Sequence, residues 1–122
     1  MAYAAEHIGL AAMELLTYWA NYPSMQGYDH YTYPLEEKDI KEALVTHPYC
    51  NPHDKRQTRA IGDTWILQQR TLALKVPSVV LPGSFNYVLN PNHPRYESGL
   101  VRHVGPFQYD QRIEALIQAA KD

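Results

Sequence analysis

The amino-acid sequence predicts a single domain of the α+β class. Apolar residues recur at helical spacing near both ends of the chain, whereas β-branched and aromatic residues cluster in short segments between them. A chain of 122 residues can build one hydrophobic core but not two. The sequence has no internal repeat, low-complexity segment or clear linker, so one mixed domain spanning residues 1–122 is expected.

The first predicted element is a helix over residues 6 to about 20. An apolar stripe at helical spacing defines it, formed by Ile8, Ala12, Leu15, Leu16 and Trp19. Glu14 falls on the flank of this stripe, on the side of His7 and Leu10. We therefore expect the Glu14 carboxylate to reach a cleft beside the core.

The middle of the chain mixes turn, strand and helix signals. Residues 21–28 predict a loop, and residues 31–35 then alternate as a short strand, which Pro34 excludes from the centre of a sheet. Apolar spacing predicts a second helix over residues 36–45. The polar, proline-broken stretch 47–59 predicts a surface loop.

The second half of the chain is richer in strand-forming residues. They predict three strands, over residues 71–81, 85–89 and 100–104. Pro77 breaks the first of these strands, and residues 90–94 have the composition of a turn. Asp110 can cap a final helix whose inward-facing residues are Ile113, Leu116, Ile117 and Ala120.

Composition excludes several classes of function. A net charge of −2 gives no electrostatic reason to expect a direct nucleic-acid partner, and a hydrophobic share of 45% without a long apolar run argues against a membrane protein. Cys50 is the only cysteine and no export signal precedes the first helix, so a cytoplasmic protein is expected. Ten tyrosines suggest that some of them line a ligand surface.

A series of short motifs lies in a fixed order along the second half. It comprises Val76-Pro77-Ser78, Asn86-Tyr87, Asn90-Pro91 and His93-Pro94. Together with Tyr3 and the helix that carries Glu14, this series resembles the RES domain of bacterial toxin–antitoxin systems. The resemblance covers nearly the whole chain. It implies a fold similar to that of NAD-using ADP-ribosyltransferases, with NAD as substrate and no resident cofactor or metal.

The RES family takes its name from an arginine, a glutamate and a serine. The resemblance assigns the glutamate to Glu14, the serine to Ser78 and a substrate-binding tyrosine to Tyr3. The family arginine belongs to a segment that precedes the tyrosine strand, and only Met1 and Ala2 precede Tyr3 here. None of the six arginines is in that position. We therefore expect a shortened member or a start further upstream. The consequences would be poor NAD affinity and either self-association or dependence on a partner.

The chemistry suits these assignments. Cleavage between nicotinamide and ribose builds positive charge on the sugar, which a carboxylate such as that of Glu14 stabilises. Ser78 can hold the nicotinamide amide or the ribose, and Tyr3 can stack on the departing ring. The implied function is an NAD glycohydrolase, phosphorylase or ADP-ribosyltransferase toxin, controlled by an antitoxin with a helix-turn-helix part. The acceptor stays open among water, phosphate and a protein.

Two further interpretations compete with the enzyme. A catalytically degenerate RES domain could act as an antitoxin- or nucleotide-binding module, and a small structural protein would leave the ordered motifs unexplained. Two groups of side chains also allow either a ligand-binding or a purely structural interpretation. For His47, Cys50 and His53, a flexible loop is favoured over a zinc site because no fourth ligand is evident. For Tyr28, Tyr31 and Tyr33, strand packing is favoured over a nucleotide platform.

Overall fold

The computed structural model describes residues 2–17, 27–42 and 55–121, and this part of the chain has the predicted α+β fold. Its strands are β1 (Ala2–Ala5), β2 (Tyr28–Thr32), β3 (Ile40–Glu42), β4 (Ala73–Pro77), β5 (Phe85–Leu89) and β6 (Arg102–Phe107). Its α-helices are α1 (Ile8–Leu16), α2 (Lys55–Gln68) and α3 (Gln111–Lys121). Short 3₁₀ turns lie at Glu37–Asp39 and Ser98–Leu100.

The strands form two sheets. The larger sheet has the order β1-β5-β4-β3, in which β3 and β4 run parallel and the other neighbours antiparallel. A parallel pair needs a crossover connection, and α2 lies in the segment between β3 and β4. The smaller sheet pairs β2 with β6, with an irregular register between His30 and Tyr31. Pairing of β1 with β5 brings the first described residues beside residues 86–89.

One core cluster lies between α2 and the larger sheet. Trp65 of α2 packs with Leu74 of β4 and Val88 of β5, and all three are buried. Leu74 and Val88 are direct cross-strand partners, so they present their side chains to the same face of the sheet. The indole nitrogen of Trp65 donates a hydrogen bond to the Thr71 hydroxyl at 2.9 Å, which satisfies its polar group.

A second core cluster anchors α1. Buried Tyr109 and Ile117 pack against apolar residues of α1, including Ala12 and Leu15. The Tyr109 hydroxyl donates a hydrogen bond to the Ala12 carbonyl, and its ring meets Phe107 edge-on with centroids 4.9 Å apart. Burial, and then the nearby Tyr28, raise the pKa of Tyr109. The neutral phenol therefore ties the segment before α3 to α1.

A third group of contacts, here called the clip, joins Tyr33 and Asp39 to residues 95–97. Asp39 is only 7% exposed and accepts a hydrogen bond from the Arg95 guanidinium. The rings of Tyr33 and Tyr96 stack with centroids 5.2 Å apart, and the Glu97 amide donates to the Tyr33 hydroxyl at 3.1 Å. Residues 33–39 are thus held against residues 93–97.

Several predicted elements are confirmed with small shifts. The strand predicted over residues 85–89 is β5, and the final helix follows Asp110 as expected. The first helix begins at Ile8 rather than at residue 6, because His7 caps it, while residues 18–20 lie outside the described part. The strand predicted over residues 100–104 is β6, which starts later because a 3₁₀ turn precedes it.

Other expectations are wrong. The helix predicted over residues 36–45 is replaced, as far as residue 42, by a 3₁₀ turn and β3, because Ile40 pairs with Ala73 on β4. The predicted loop 47–59 is helical from Lys55 onward, where α2 begins. The strand predicted over 31–35 lies at Tyr28–Thr32 instead. Leu116 and Ala120, both predicted to face inward, are exposed, Leu116 at 67%.

Candidate functional site

Glu14, Ser78 and Asn86 form a hydrogen-bonded network. The Ser78 hydroxyl donates to Glu14 Oε1 at 2.9 Å, and the Asn86 amide nitrogen donates to the same oxygen at 2.8 Å. These contacts join residues 64 and 72 positions apart in the sequence. The structure therefore brings together the glutamate and the serine that were predicted to share a site.

The strand pairing explains why these residues meet. Asn86 on β5 pairs with Ala5 at the end of β1 and with Val76 near the end of β4. The chain leaves β1 directly into α1, whose first turn is capped by the His7 ring accepting the Leu10 amide at 3.1 Å. The helix carrying Glu14 thus starts beside the strand ends that carry its two donors.

The Ser78 hydroxyl both donates and accepts a hydrogen bond. It donates to Glu14 and accepts the Leu81 amide hydrogen at 3.0 Å. Its residue is only 5% exposed, and its backbone amide bonds the Ser84 carbonyl at 2.8 Å across the turn that follows β4. The hydroxyl thus binds the Glu14 carboxylate and stabilises the turn after β4. Because Ser78 is buried, little of its surface is accessible to a ligand.

The two oxygens of the Glu14 carboxylate have different surroundings. Oε1 accepts both donors, whereas no residue in the described part of the chain bonds Oε2. Glu14 as a whole is half-buried. A carboxylate held by one oxygen can direct the other at a positive charge that develops during a reaction.

Tyr3 lies at a different place. It is 76% exposed and lines a cavity of about 630 Å³ between α1, the β1–β5 region and β2. The residues of α1 that line this cavity include Ala11 and Leu15, which are neighbours of Glu14 on the helix. Neither Glu14 nor Ser78 lines it. The structure therefore does not place Tyr3 in the same pocket as the network, although α1 contributes residues to both.

The tyrosine group of the sequence divides between packing and the cavity. Tyr28, Tyr31 and Tyr33 all line the cavity. Tyr28 also packs in the core cluster around Tyr109, and Tyr33 stacks on Tyr96 in the clip. Tyr31 is 57% exposed and its ring lies 5.0 Å from that of His103. Tyr31 thus packs on its cross-strand partner, and Tyr28 and Tyr33 also have packing partners, while all three remain part of the cavity lining.

The candidate zinc ligands and the possibility of a membrane span can be compared with the described part of the chain. His47, Cys50 and His53 lie outside the described residues, and within the described part no group of three metal-binding side chains was found. No helix in that part is long and apolar enough to cross a membrane.

The sequence did not predict a role for Asn86, although this residue belongs to the Asn86-Tyr87 motif. The residue occupies a strand position whose neighbour two residues on, Val88, is buried on the face that packs against α2. A polar side chain in an otherwise apolar row of a strand is the signal that could have identified it.

Comparison with known proteins gives consistent matches. The profile of the RES domain family matches residues 1–110. The chain is 27% identical over 120 residues to "Toxin Res" of Yersinia enterocolitica, an alignment that covers 92% of this chain and 76% of that protein. It is 38% identical over 58 residues to a "Prs ADP-ribosylating toxin" of a Sphingobium species, covering 48% of this chain and 36% of that protein.

A third relative, "Toxin Res" of Pseudomonas putida, is 36% identical over 56 residues, covering 46% of this chain and 38% of the relative. The two shorter alignments thus span little more than a third of the relatives. The profile match includes the six strands of the described part of the chain and both α1 and α2. With 110 of its 122 residues matched, this chain belongs to the RES domain family.

Proposed function

We propose that this chain is the NAD-consuming toxin of a toxin–antitoxin system, which cleaves the bond between nicotinamide and ribose. The observation that carries the proposal is the Glu14 carboxylate, which is anchored through Oε1 by two donors while Oε2 has no partner among the described residues. The names of the relatives support the coarser part of the proposal, because they include two Res toxins and an ADP-ribosylating toxin.

Glu14 would act as the charge-stabilising group. As the nicotinamide–ribose bond breaks, its electron pair leaves with nicotinamide and positive charge accumulates on the ribose carbon and ring oxygen. A carboxylate near that carbon stabilises this state more than the ground state. The acceptor then bonds to the same carbon and loses its proton. Water, phosphate and a protein side chain remain alternative acceptors.

Ser78 and Tyr3 would have different tasks. Because the Ser78 hydroxyl is buried and already donates to Glu14, we assign it to hold that carboxylate rather than to touch NAD. Tyr3 lines a cavity whose volume lies within the range typical of small-molecule sites, so it is placed to stack on a bound ring. Because Glu14 does not line this cavity, the ribose of a bound NAD would have to extend beyond it for Glu14 to act on the reacting carbon.

The test is the consumption of NAD by the purified chain and by its Glu14→Gln variant. The glutamine carbonyl can still accept hydrogen bonds from Ser78 and Asn86, so the fold is retained while the charge is lost. We expect NAD turnover to fall by about 10²–10³-fold, as when a preorganised charge-stabilising group is removed. Glu37→Gln, which changes an exposed glutamate, is the matched control. Equal turnover in wild type and Glu14→Gln refutes the assignment.

A nucleotide-binding module is the second candidate. It is favoured by the position of Tyr3, whose cavity includes neither Glu14 nor Ser78. Titration with NAD separates the two candidates: binding without turnover by the wild-type chain selects the module, and binding with turnover selects the enzyme. Loss of binding in Tyr3→Ala would place the nucleotide in this cavity.

The partner we propose is a cognate antitoxin that carries a helix-turn-helix part. The toxin names of the relatives support such a partner, since a toxin must be silenced in its own cell. Co-expression with the product of the neighbouring gene, followed by size-exclusion chromatography, should give a complex larger than the 14.0 kDa chain. Elution of the two proteins as separate species would count against this partner.

A further inference from the structure

Asn86 is a polar residue on a strand row that otherwise packs into the core. Its direct cross-strand partners are Ala5 and Val76, and Val88 follows on the same face of β5. An amide on such a face costs free energy unless it is hydrogen-bonded. The contact that satisfies it is the 2.8 Å bond to Glu14 Oε1. The position of Asn86 is therefore explained by what it does to that carboxylate.

We propose that Asn86 is a positioning residue that fixes the plane of the Glu14 carboxylate, so that Oε2 is presented to the substrate. This proposal rests on the proposed function. With a single donor, a carboxylate can still rotate about its terminal torsion, because that torsion has broad energy wells. Ser78 follows β4 and Asn86 lies on β5, so two donors from paired strands meet on one oxygen and restrict this rotation.

The type of residue at position 86 also matters. The amide nitrogen donates without adding charge, so the negative charge of Glu14 remains available to a cationic reaction centre. An aspartate in the same place would have the same shape, but it would set a second carboxylate against Oε1. Asn86→Asp is therefore a substitution of matched size that removes the donor and adds repulsion.

The kinetic experiment compares NAD consumption by wild type, Asn86→Asp and Asn86→Ala. We expect kcat to fall by about 10- to 100-fold in both variants while KM changes little, because a misplaced reacting group affects the reaction more than ground-state binding. Asn92→Asp is the control, since this exposed asparagine undergoes the same change away from Glu14. A kcat for Asn86→Asp equal to that of wild type would overturn the proposal.

A spectroscopic experiment separates this proposal from the proposed function. The side-chain amide protons of Asn86, observed by NMR in the folded wild-type chain, should include one that is shifted downfield and exchanges slowly. Glu14→Gln should move this signal upfield, because a neutral acceptor replaces a charged one. An Asn86 amide signal that is unaffected by Glu14→Gln overturns the proposal, even if the Asn86 variants fail to fold.

The two experiments together distinguish the failures. If Glu14→Gln keeps full NAD turnover while the Asn86 signal responds, the proposed role of Glu14 in the reaction fails and the contact itself stands. If Glu14→Gln abolishes turnover but Asn86→Asp does not, the positioning role fails and the proposed function stands.

Discussion

Replacing Glu14 by alanine should destabilise the fold, whatever reaction the chain performs. The substitution leaves the Ser78 hydroxyl and the Asn86 amide without their acceptor. A buried donor left unsatisfied costs about 1–3 kcal/mol. Ser78 is 5% exposed and should bear most of that cost, whereas half-buried Asn86 can be partly hydrated. We expect a loss of about 2–4 kcal/mol, which the higher helix propensity of alanine, at most about 0.5 kcal/mol, cannot offset.

Urea unfolding followed by tryptophan fluorescence measures this loss. Glu14→Gln is the comparison, because its amide oxygen still accepts hydrogen bonds from both donors. Replacing a charged acceptor by a neutral one should lower the free energy of unfolding by about half as much as Glu14→Ala does. A mutation that shifts the midpoint without changing the m-value has changed stability alone. If Glu14→Ala unfolds within about 0.5 kcal/mol of wild type, the network does not hold α1 to the strand ends, and the reasoning from its burial is refuted.

Two further predictions concern the core. Tyr109→Phe removes the hydrogen bond to the Ala12 carbonyl and should cost about 1 kcal/mol at neutral pH. Because the folded pKa of Tyr109 is raised above the usual value near 10, its contribution is full below that pH and is lost as the pH rises through the folded pKa. The stabilities of wild type and Tyr109→Phe should therefore converge in alkaline solution, and a constant difference measured by denaturation up to that range would disprove this. Leu74→Ala should cost about 2–5 kcal/mol in chemical denaturation, because Leu74 packs between Trp65 and Val88. Leu67→Ala, at a position 83% exposed, is its control, and equal losses in the two variants would contradict the packing described for α2.

The sequence predicts best where local pattern and tertiary packing agree. Ala12, Leu15 and Leu16 of the predicted apolar stripe pack in the core cluster around Tyr109. Ile8, from the same stripe, is 44% exposed, and Trp19 lies outside the described residues. The strand β5 has its predicted bounds, because its aromatic and β-branched residues are bounded by turn-forming residues. The contact between Glu14 and Ser78 followed from the family resemblance, since no local signal links residues 64 positions apart.

Prediction fails where distant pairing overrides a local pattern. The apolar spacing around Ile40 is helical, but its backbone hydrogen-bonds in register with β4, and only the folded sheet supplies that partner. No helix was predicted over the range of α2, for the opposite reason: its first residues are polar, so periodicity gives no helical signal there. Asn86 was missed because its importance comes from a helix far away in the sequence.

The long separation between Glu14 and its donors has a consequence for synthesis of the protein. Asn86 is translated 72 residues after Glu14, and at about 5–20 residues per second this interval lasts about 4–14 s. During that time α1 has neither β5 nor the turn after β4 to hold it, so an incomplete chain contains the carboxylate but not its orientation. Any peptide released before residue 86 would lack the arrangement altogether. The topology thus ties assembly of the network to translation of most of the chain.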